Sequence, residues 1–84
     1  ADARLAHLIC ETYTRLEAAG RAGANRFAFP LSQAVVGEIL GLSPVHMNRM
    51  IQSLRQDGLV RWERADAEIL NWRRLAELGE FDPT

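Results

Sequence analysis

The sequence predicts a mainly α-helical domain with a small β wing, a winged helix-turn-helix with a three-helix core and a β-hairpin. Two observations predict this class. The stretch from Ser32 to Val60 contains a short helix, a glycine-bearing turn and a second helix, and two short β-prone segments follow around a polar turn. The chain has 84 residues, which is enough for one modest core.

The first helix is predicted over residues 2–19, because apolar side chains recur at helical spacing. These are Leu5, Leu8, Ile9, Tyr13 and Leu16. Glycines at 20 and 23 end the helix and mark a loop. Residues 26–29 form a short extended piece that Pro30 stops.

A second helix is predicted from about Gln33 to Leu40, with Ser32 as its N-cap. Four of its apolar residues are expected to face inward: Val35, Val36, Ile39 and Leu40. Gly37 is expected to let another helix approach closely, and Gly41 suits a left-handed turn position.

The third helix begins with Ser43 as the cap and Pro44 in the first helical position, and it runs to about Asp57. At about 100° per residue its apolar residues share one narrow sector. This sector holds Met47, Met50, Ile51 and Leu54. The opposite sector holds Val45, Arg49, Gln52 and Gln56. A helix that packs by one face and presents a guanidinium and amides on the other is suited to reading base edges.

The wing is predicted as two strands, 59–62 and 68–71, around the turn 63–66. A short last helix is expected from Trp72 to Leu78, and the last four residues, FDPT, are expected to fray. Trp62 and Trp72 are expected to pack the wing against the core.

The net charge of -1 is unusual for a DNA-binding domain. Positive charge is nevertheless concentrated in one part of the chain. Residues 43–64 contain four arginines and two carboxylates. This distribution predicts a positive bias on the third helix and the wing.

The stretch LSQAVVGEILGLSPVHMNRMIQSLRQDGLV resembles the helix-turn-helix of the CRP/FNR (cAMP-receptor-protein-like) family of bacterial transcription regulators, and the similarity extends over nearly the whole chain. The resemblance implies sequence-specific DNA binding, with the helix at about 43–57 in the major groove and the wing on the phosphate backbone. The predicted base-reading residues are Pro44, Val45, Asn48, Arg49 and Gln52. The predicted phosphate contacts are Ser32, Gln33, Ser43, His46, Ser53, Arg61 and Arg64. Arg49 can pair with guanine, whereas Pro44 and Val45 replace the polar readers often found in the family.

The resemblance also implies that residues 1–84 form the DNA-binding domain of a longer regulator, whose β-barrel sensor domain and dimerisation helix are absent from this chain. The expected partner is double-stranded DNA, with RNA polymerase as a further possible partner. The full-length protein is expected to be a cytoplasmic homodimer, and this fragment a monomer or a weakly self-associating species. No cofactor is expected in this domain. The effector of the full-length protein is open, and a cyclic nucleotide or another small ligand is compatible with the resemblance.

One alternative function stays open at this point. The near-zero net charge favours a winged helix used for protein contact, docking on a sensor domain or on RNA polymerase. Cys10 and His7 lie three residues apart on the first helix, but two groups are too few for a metal site, so a buried or half-buried thiol is expected. The sequence has no set of catalytic side chains at usable spacing, so an enzyme is not predicted. There is also no apolar run long enough to span a membrane.

Overall fold

Four helices and three strands follow one another along residues 2–82, the part of the chain that the computed structural model describes. In order they are α1 (Asp2–Ala18), β1 (Arg26–Ala28), α2 (Gln33–Leu40), α3 (Pro44–Gln56), β2 (Val60–Glu63), β3 (Asp66–Ile69) and α4 (Trp72–Leu78). The predicted winged helix-turn-helix is confirmed, with α2 and α3 as its two helices. No helix within residues 2–82 is long and apolar enough to cross a membrane.

The wing is part of a three-stranded antiparallel sheet with the order β1-β3-β2. The extended piece predicted before α2 is therefore its third strand, and Phe27 pairs with Ala67 of β3. Because β1 precedes the helix-turn-helix and β2 and β3 follow it, one sheet fixes both ends of the α2–α3 segment.

The turn of the wing is tighter than predicted. Glu63 pairs directly with Asp66, so only Arg64 and Ala65 form the turn, and β3 begins two residues earlier than expected. The alternation of side chains explains the shift. Ala67 and Ile69 are buried on the face of the sheet that also buries Trp62. Arg64 takes a positive φ of 55° in this turn.

The core lies between α1, α3 and the sheet. The apolar sector predicted for α3 is confirmed, since all four of its residues are buried. The α1 stripe is confirmed in its centre, where Leu5, Ile9 and Tyr13 are buried, whereas Leu8 and Leu16 at its edges are half-buried.

The inward face predicted for α2 is wrong for two residues. Val35 and Ile39 are 39% and 57% exposed, and Val36 is buried. The reason is which edge of α2 faces the core. Val36 and Gly37 are buried, and a Cβ on Gly37 would make an ordinary van der Waals contact of 3.5 Å with the Cβ of Met47 in α3. Val35 and Ile39, one turn apart, lie outside that edge.

Aromatic packing holds the wing and the C-terminal helix to the rest of the domain. The ring of Trp62 stacks on Phe29 with centroids 4.4 Å apart, and Trp72 lies 5.9 Å from Tyr13 of α1. Trp62 thus packs the wing against the core as predicted, whereas Trp72 packs α4 rather than the wing against α1. Phe81, expected in a frayed tail, contacts Trp72 and His7 instead. Pro83 and Thr84 of that predicted tail lie outside the described residues.

Candidate nucleic-acid interface

The N-terminus of α3 is built as the sequence predicts. Ser43 has extended backbone angles and its Oγ accepts a hydrogen bond of 3.2 Å from the backbone N–H of His46. Pro44 occupies the first helical position, where no N–H is needed. The cap fixes where the helix begins and therefore which side chains its first turn exposes.

The outward face of α3 presents Val45, Arg49 and Gln52 at successive turns, and all three are exposed. The Arg49 guanidinium forms no ion pair with any residue from 2 to 82. An unpaired, exposed guanidinium is available for a bidentate contact with an external acceptor.

Pro44 and Asn48 lie on the flank of this face rather than in its middle. Together with Gln33, Gly37 and Glu38 of α2 they line a concavity of about 280 Å³ between the two helices. Asn48 therefore faces the α2 side of the motif. Any base that it contacts must lie toward that flank.

Three of the predicted phosphate-contacting residues, Ser32, Gln33 and Arg64, line one cleft. This cleft, of about 440 Å³, lies between the start of α2 and the wing tip, and Phe29 is also among its lining residues. The Ser32 Oγ accepts a hydrogen bond from the backbone N–H of Val35, so its own hydroxyl proton can still be donated. The first backbone N–H groups of α2 and the helix dipole favour an anion here.

Gln33 is also tied to the wing. Its side-chain Nε2 donates a hydrogen bond of 3.2 Å to the backbone carbonyl of Trp62 in β2. This bond connects the start of α2 directly to the strand that leads to Arg64. Gln33 thus helps set the width of the cleft, a role that the sequence pattern does not reveal.

Arg61, predicted as a phosphate contact, is placed differently. Its guanidinium is surrounded by three carboxylates, with Glu68 at 3.2 Å, Glu63 at 3.8 Å and Asp66 at 3.9 Å. Only 25% of its side chain is exposed. A phosphate would have to compete with three negative charges for one cation, so the geometry does not favour this contact.

The folded wing therefore lacks the positive bias predicted from residues 43–64. Asp66 and Glu68 lie outside that segment in the sequence but on β3 beside Arg61 in the fold. With them, residues 43–69 carry four arginines and four carboxylates. The positive groups available for contact in this region are Arg49 on α3 and Arg64 at the wing tip.

The remaining predicted contacts lie at separate places along α3. His46 and Ser43 are exposed at its start, and Ser53 is exposed in its second half.

A residue that the sequence pattern does not indicate is Arg55, which lies 3.5 Å from Glu63 and links the end of α3 to β2. No local pattern signals this link, because the helix and strand are joined by a turn whose direction the sequence does not specify.

Cys10 and His7 do not form a joint site. Cys10 is buried, as expected, and burial raises the pKa of its thiol to about 11. His7 instead uses Nδ1–H to donate a 3.0 Å hydrogen bond to the carbonyl of Gly79. Among residues 2–82 no group of three or more metal-binding side chains is arranged to hold a metal ion.

Comparisons with known proteins agree with this geometry. A sequence model of the Crp-like helix-turn-helix domain matches residues 3–78. The transcriptional activator protein FnrA of Stutzerimonas stutzeri is 32% identical over 79 residues, which are 94% of this chain and 32% of FnrA.

Solved structures show the same fold. FixK2 from Bradyrhizobium japonicum is 27% identical with a TM-score of 0.75, over 92% of this chain and 37% of FixK2. CprK is 24% identical with a TM-score of 0.74, over 93% of this chain and 37% of CprK. At that identity the likeness to CprK shows the fold alone. The chain spans about a third of the length of these proteins.

Proposed function

We propose a mode of DNA binding on the premise that the chain belongs to the Crp-like helix-turn-helix family. DNA binding in transcription regulation is the function of this domain. In the proposed mode, α3 lies in the major groove of double-stranded DNA and the wing tip lies on the phosphate backbone. The observation that carries this mode is the exposed face of α3 next to the cleft formed by Ser32, Gln33 and Arg64.

Base reading centres on Arg49. Its guanidinium can donate two hydrogen bonds to O6 and N7 of a guanine. Val45 and Gln52 lie on the same face, one turn before and nearly one turn after it, and contact neighbouring base pairs. Pro44 and Asn48 contact the edge of the site nearest α2.

Two anion positions support this docking. One phosphate is held in the cleft by the Ser32 hydroxyl, the Gln33 amide and the Arg64 guanidinium. A second is held at the start of α3 by Ser43 and His46. Ser53 contacts the backbone beyond the other end of the reading face. Arg61 is left out of the proposed contacts, because the three carboxylates around it neutralise its charge.

The full-length protein is proposed to be a cytoplasmic homodimer with a sensor domain. Two copies of α3 would then enter successive major grooves about 34 Å apart on a pseudo-palindromic operator. Contact with RNA polymerase and an effector bound outside this domain belong to the same proposal. A single domain contacts only one half-site, so this chain alone binds DNA weakly.

The test is selection of binding sites by this chain from a pool of random duplexes at low ionic strength. We expect an enriched half-site that contains a guanine. Arg49→Ala should weaken binding to it by about 1–3 kcal/mol and remove the preference for that guanine. Arg74→Ala is the matched control, because it deletes an exposed arginine of α4. The proposed mode fails if Arg49→Ala binds the selected site as the wild type does.

A second candidate, a protein-docking module, is favoured by the exposed apolar residues of α2, Val35 and Ile39. The partner would be the sensor domain or RNA polymerase. Salt separates the two candidates, since counterion release makes DNA binding fall steeply with ionic strength while an apolar contact does not. If the chain does not bind duplex DNA even at low salt, the protein-docking module is the better description.

A further inference from the structure

Val45 is the most exposed of the large apolar side chains in the described part of the chain, at 64%. It is not needed for the core, which α3 supplies from its opposite face. Single exposed apolar residues are common on protein surfaces, so exposure alone carries no meaning. The position of Val45 is informative, because Val45 lies in the first turn of α3 on the same outward face as Arg49.

The side chain of Val45 has no hydrogen-bond donor or acceptor, and neither has Pro44 before it. The leading edge of α3 therefore cannot read the pattern of donors and acceptors that distinguishes most bases. The major groove offers one apolar group for such a surface, the 5-methyl group of thymine. A β-branched side chain held in a helix is also stiff, so its methyl groups have fixed positions.

The spacing to Arg49 gives the position of that thymine. Four residues of helix advance by about 6 Å along the axis. Successive base pairs are about 3.4 Å apart. A contact at Val45 and a contact at Arg49 are therefore separated by about two base-pair steps.

We propose that the half-site carries a thymine whose 5-methyl group packs against Val45, about two base-pair steps from the guanine read by Arg49. This inference rests on the proposed docking of α3 in the major groove. It assigns to Val45 a role as a specificity-determining residue that acts by apolar contact.

The experiment replaces each thymine of the selected duplex, one at a time, with deoxyuridine, which removes only the methyl group. Loss of one buried methyl contact is expected to weaken binding of this chain about four-fold at one position. Val45→Ala should bind the thymine and deoxyuridine duplexes equally well. Because Val45 is exposed, this variant keeps the fold. Arg49→Ala should bind both duplexes more weakly but keep their ratio.

The outcomes separate this inference from the proposed function. If a guanine-containing site is selected and depends on Arg49, but no deoxyuridine substitution changes affinity, the docking mode stands and the role of Val45 is wrong. The same holds if Val45→Ala keeps the full sensitivity to the methyl group. If no duplex is enriched, both the docking mode and the role of Val45 fail.

Discussion

The guanidinium of Arg61 lies 3.2 Å from a carboxylate oxygen of Glu68, its neighbour across the β2–β3 pair. Glu63 and Asp66 lie within 4 Å of the same guanidinium. Arg61 therefore stabilises the hairpin and adds little positive potential at its surface. Arg64 directly follows Glu63, the last residue of β2, and lies in the turn at the wing tip. It forms no ion pair with residues 2–82 and remains available to a phosphate.

This difference predicts a difference in salt dependence. Arg64→Ala should reduce the slope of log affinity against log salt concentration by about 1, because one phosphate contact is lost. Arg61→Ala should leave that slope nearly unchanged while it lowers the melting temperature. The measurement is a salt titration of binding to one duplex, with Arg74→Ala as the control for removal of a positive charge. An equal loss of slope in Arg61→Ala and Arg64→Ala would contradict the assignment.

Gly79 is predicted to be intolerant of any side chain. A Cβ at this position would lie 2.5 Å from the backbone N of His7 and 2.8 Å from the backbone C of Ala6, neither of which can move without displacing α1. Gly79→Ala should lower the free energy of unfolding by about 1–3 kcal/mol. Thermal or urea unfolding measures this loss.

Gly23 provides the matched control for that experiment. A Cβ at Gly23 would meet no atom within 4 Å, and its φ is not positive. Gly23→Ala should therefore unfold almost as the wild type does. Similar losses from both substitutions would show that the contact between α4 and α1 is not the cause.

A stabilising substitution is predicted in the loop before β1. Ala24 and Asn25 have φ values of 54° and 64° in the turn that closes the Gly23–Arg26 bridge. The left-handed region costs an alanine about 1–2 kcal/mol, whereas asparagine tolerates it better. Ala24→Gly should raise the free energy of unfolding by about 0.5–1 kcal/mol after the extra entropy of unfolded glycine is subtracted.

The same substitution at Ala28 should have the opposite sign. Ala28 is an exposed residue of β1 without a positive φ, so glycine gains nothing there and weakens the strand. Both variants can be compared by chemical denaturation. If Ala24→Gly is also destabilised, the turn does not hold the strain inferred from its backbone angles.

Cys10 predicts a loss of stability at alkaline pH. Burial raises the pKa of its thiol from 9.0 to about 11. Below pH 9.0 the thiol is protonated in both the folded and the unfolded state. Between 9.0 and about 11 the unfolded state loses the proton first, so the stability due to the buried neutral thiol falls as pH rises.

The measurement is the free energy of unfolding at several pH values across that window. The wild type should lose up to about 1.4 kcal/mol per pH unit more than Cys10→Ala, which has no thiol to ionise. Other groups that titrate in this range contribute equally to both proteins. Parallel pH profiles for the two proteins would contradict the raised pKa of the Cys10 thiol.

The faces of α3 could be predicted from the sequence because they depend on local periodicity. Met47 and Met50 face the core and Val45 and Arg49 face outward, as the helical spacing requires. The inward face of α2 could not be predicted in the same way. Which of its apolar residues are buried depends on which edge of α2 packs on Met47 of α3, and that choice is a property of tertiary packing.

The candidate site shows the same division. The cap at Ser43 follows from local chemistry, and its geometry agrees with the prediction. The environment of Arg61 does not follow from local chemistry, because Glu68 reaches Arg61 only through the register of the hairpin. The predicted turn of this hairpin was two residues too long. The positive bias predicted for the wing disappears because Asp66 and Glu68, outside the segment 43–64, lie beside Arg61 in the folded hairpin.

The sheet that joins β1 to β3 has a consequence for the order of folding. Arg26 and Glu68 lie on opposite sides of the helix-turn-helix in the sequence, yet they are partners in the sheet. Local contacts can form each helix early, but this pairing must close a long loop before its contacts are gained. We therefore expect β1 to be the last strand to join the sheet, because α3 and β2 are consecutive in the chain and contact each other locally through Arg55 and Glu63.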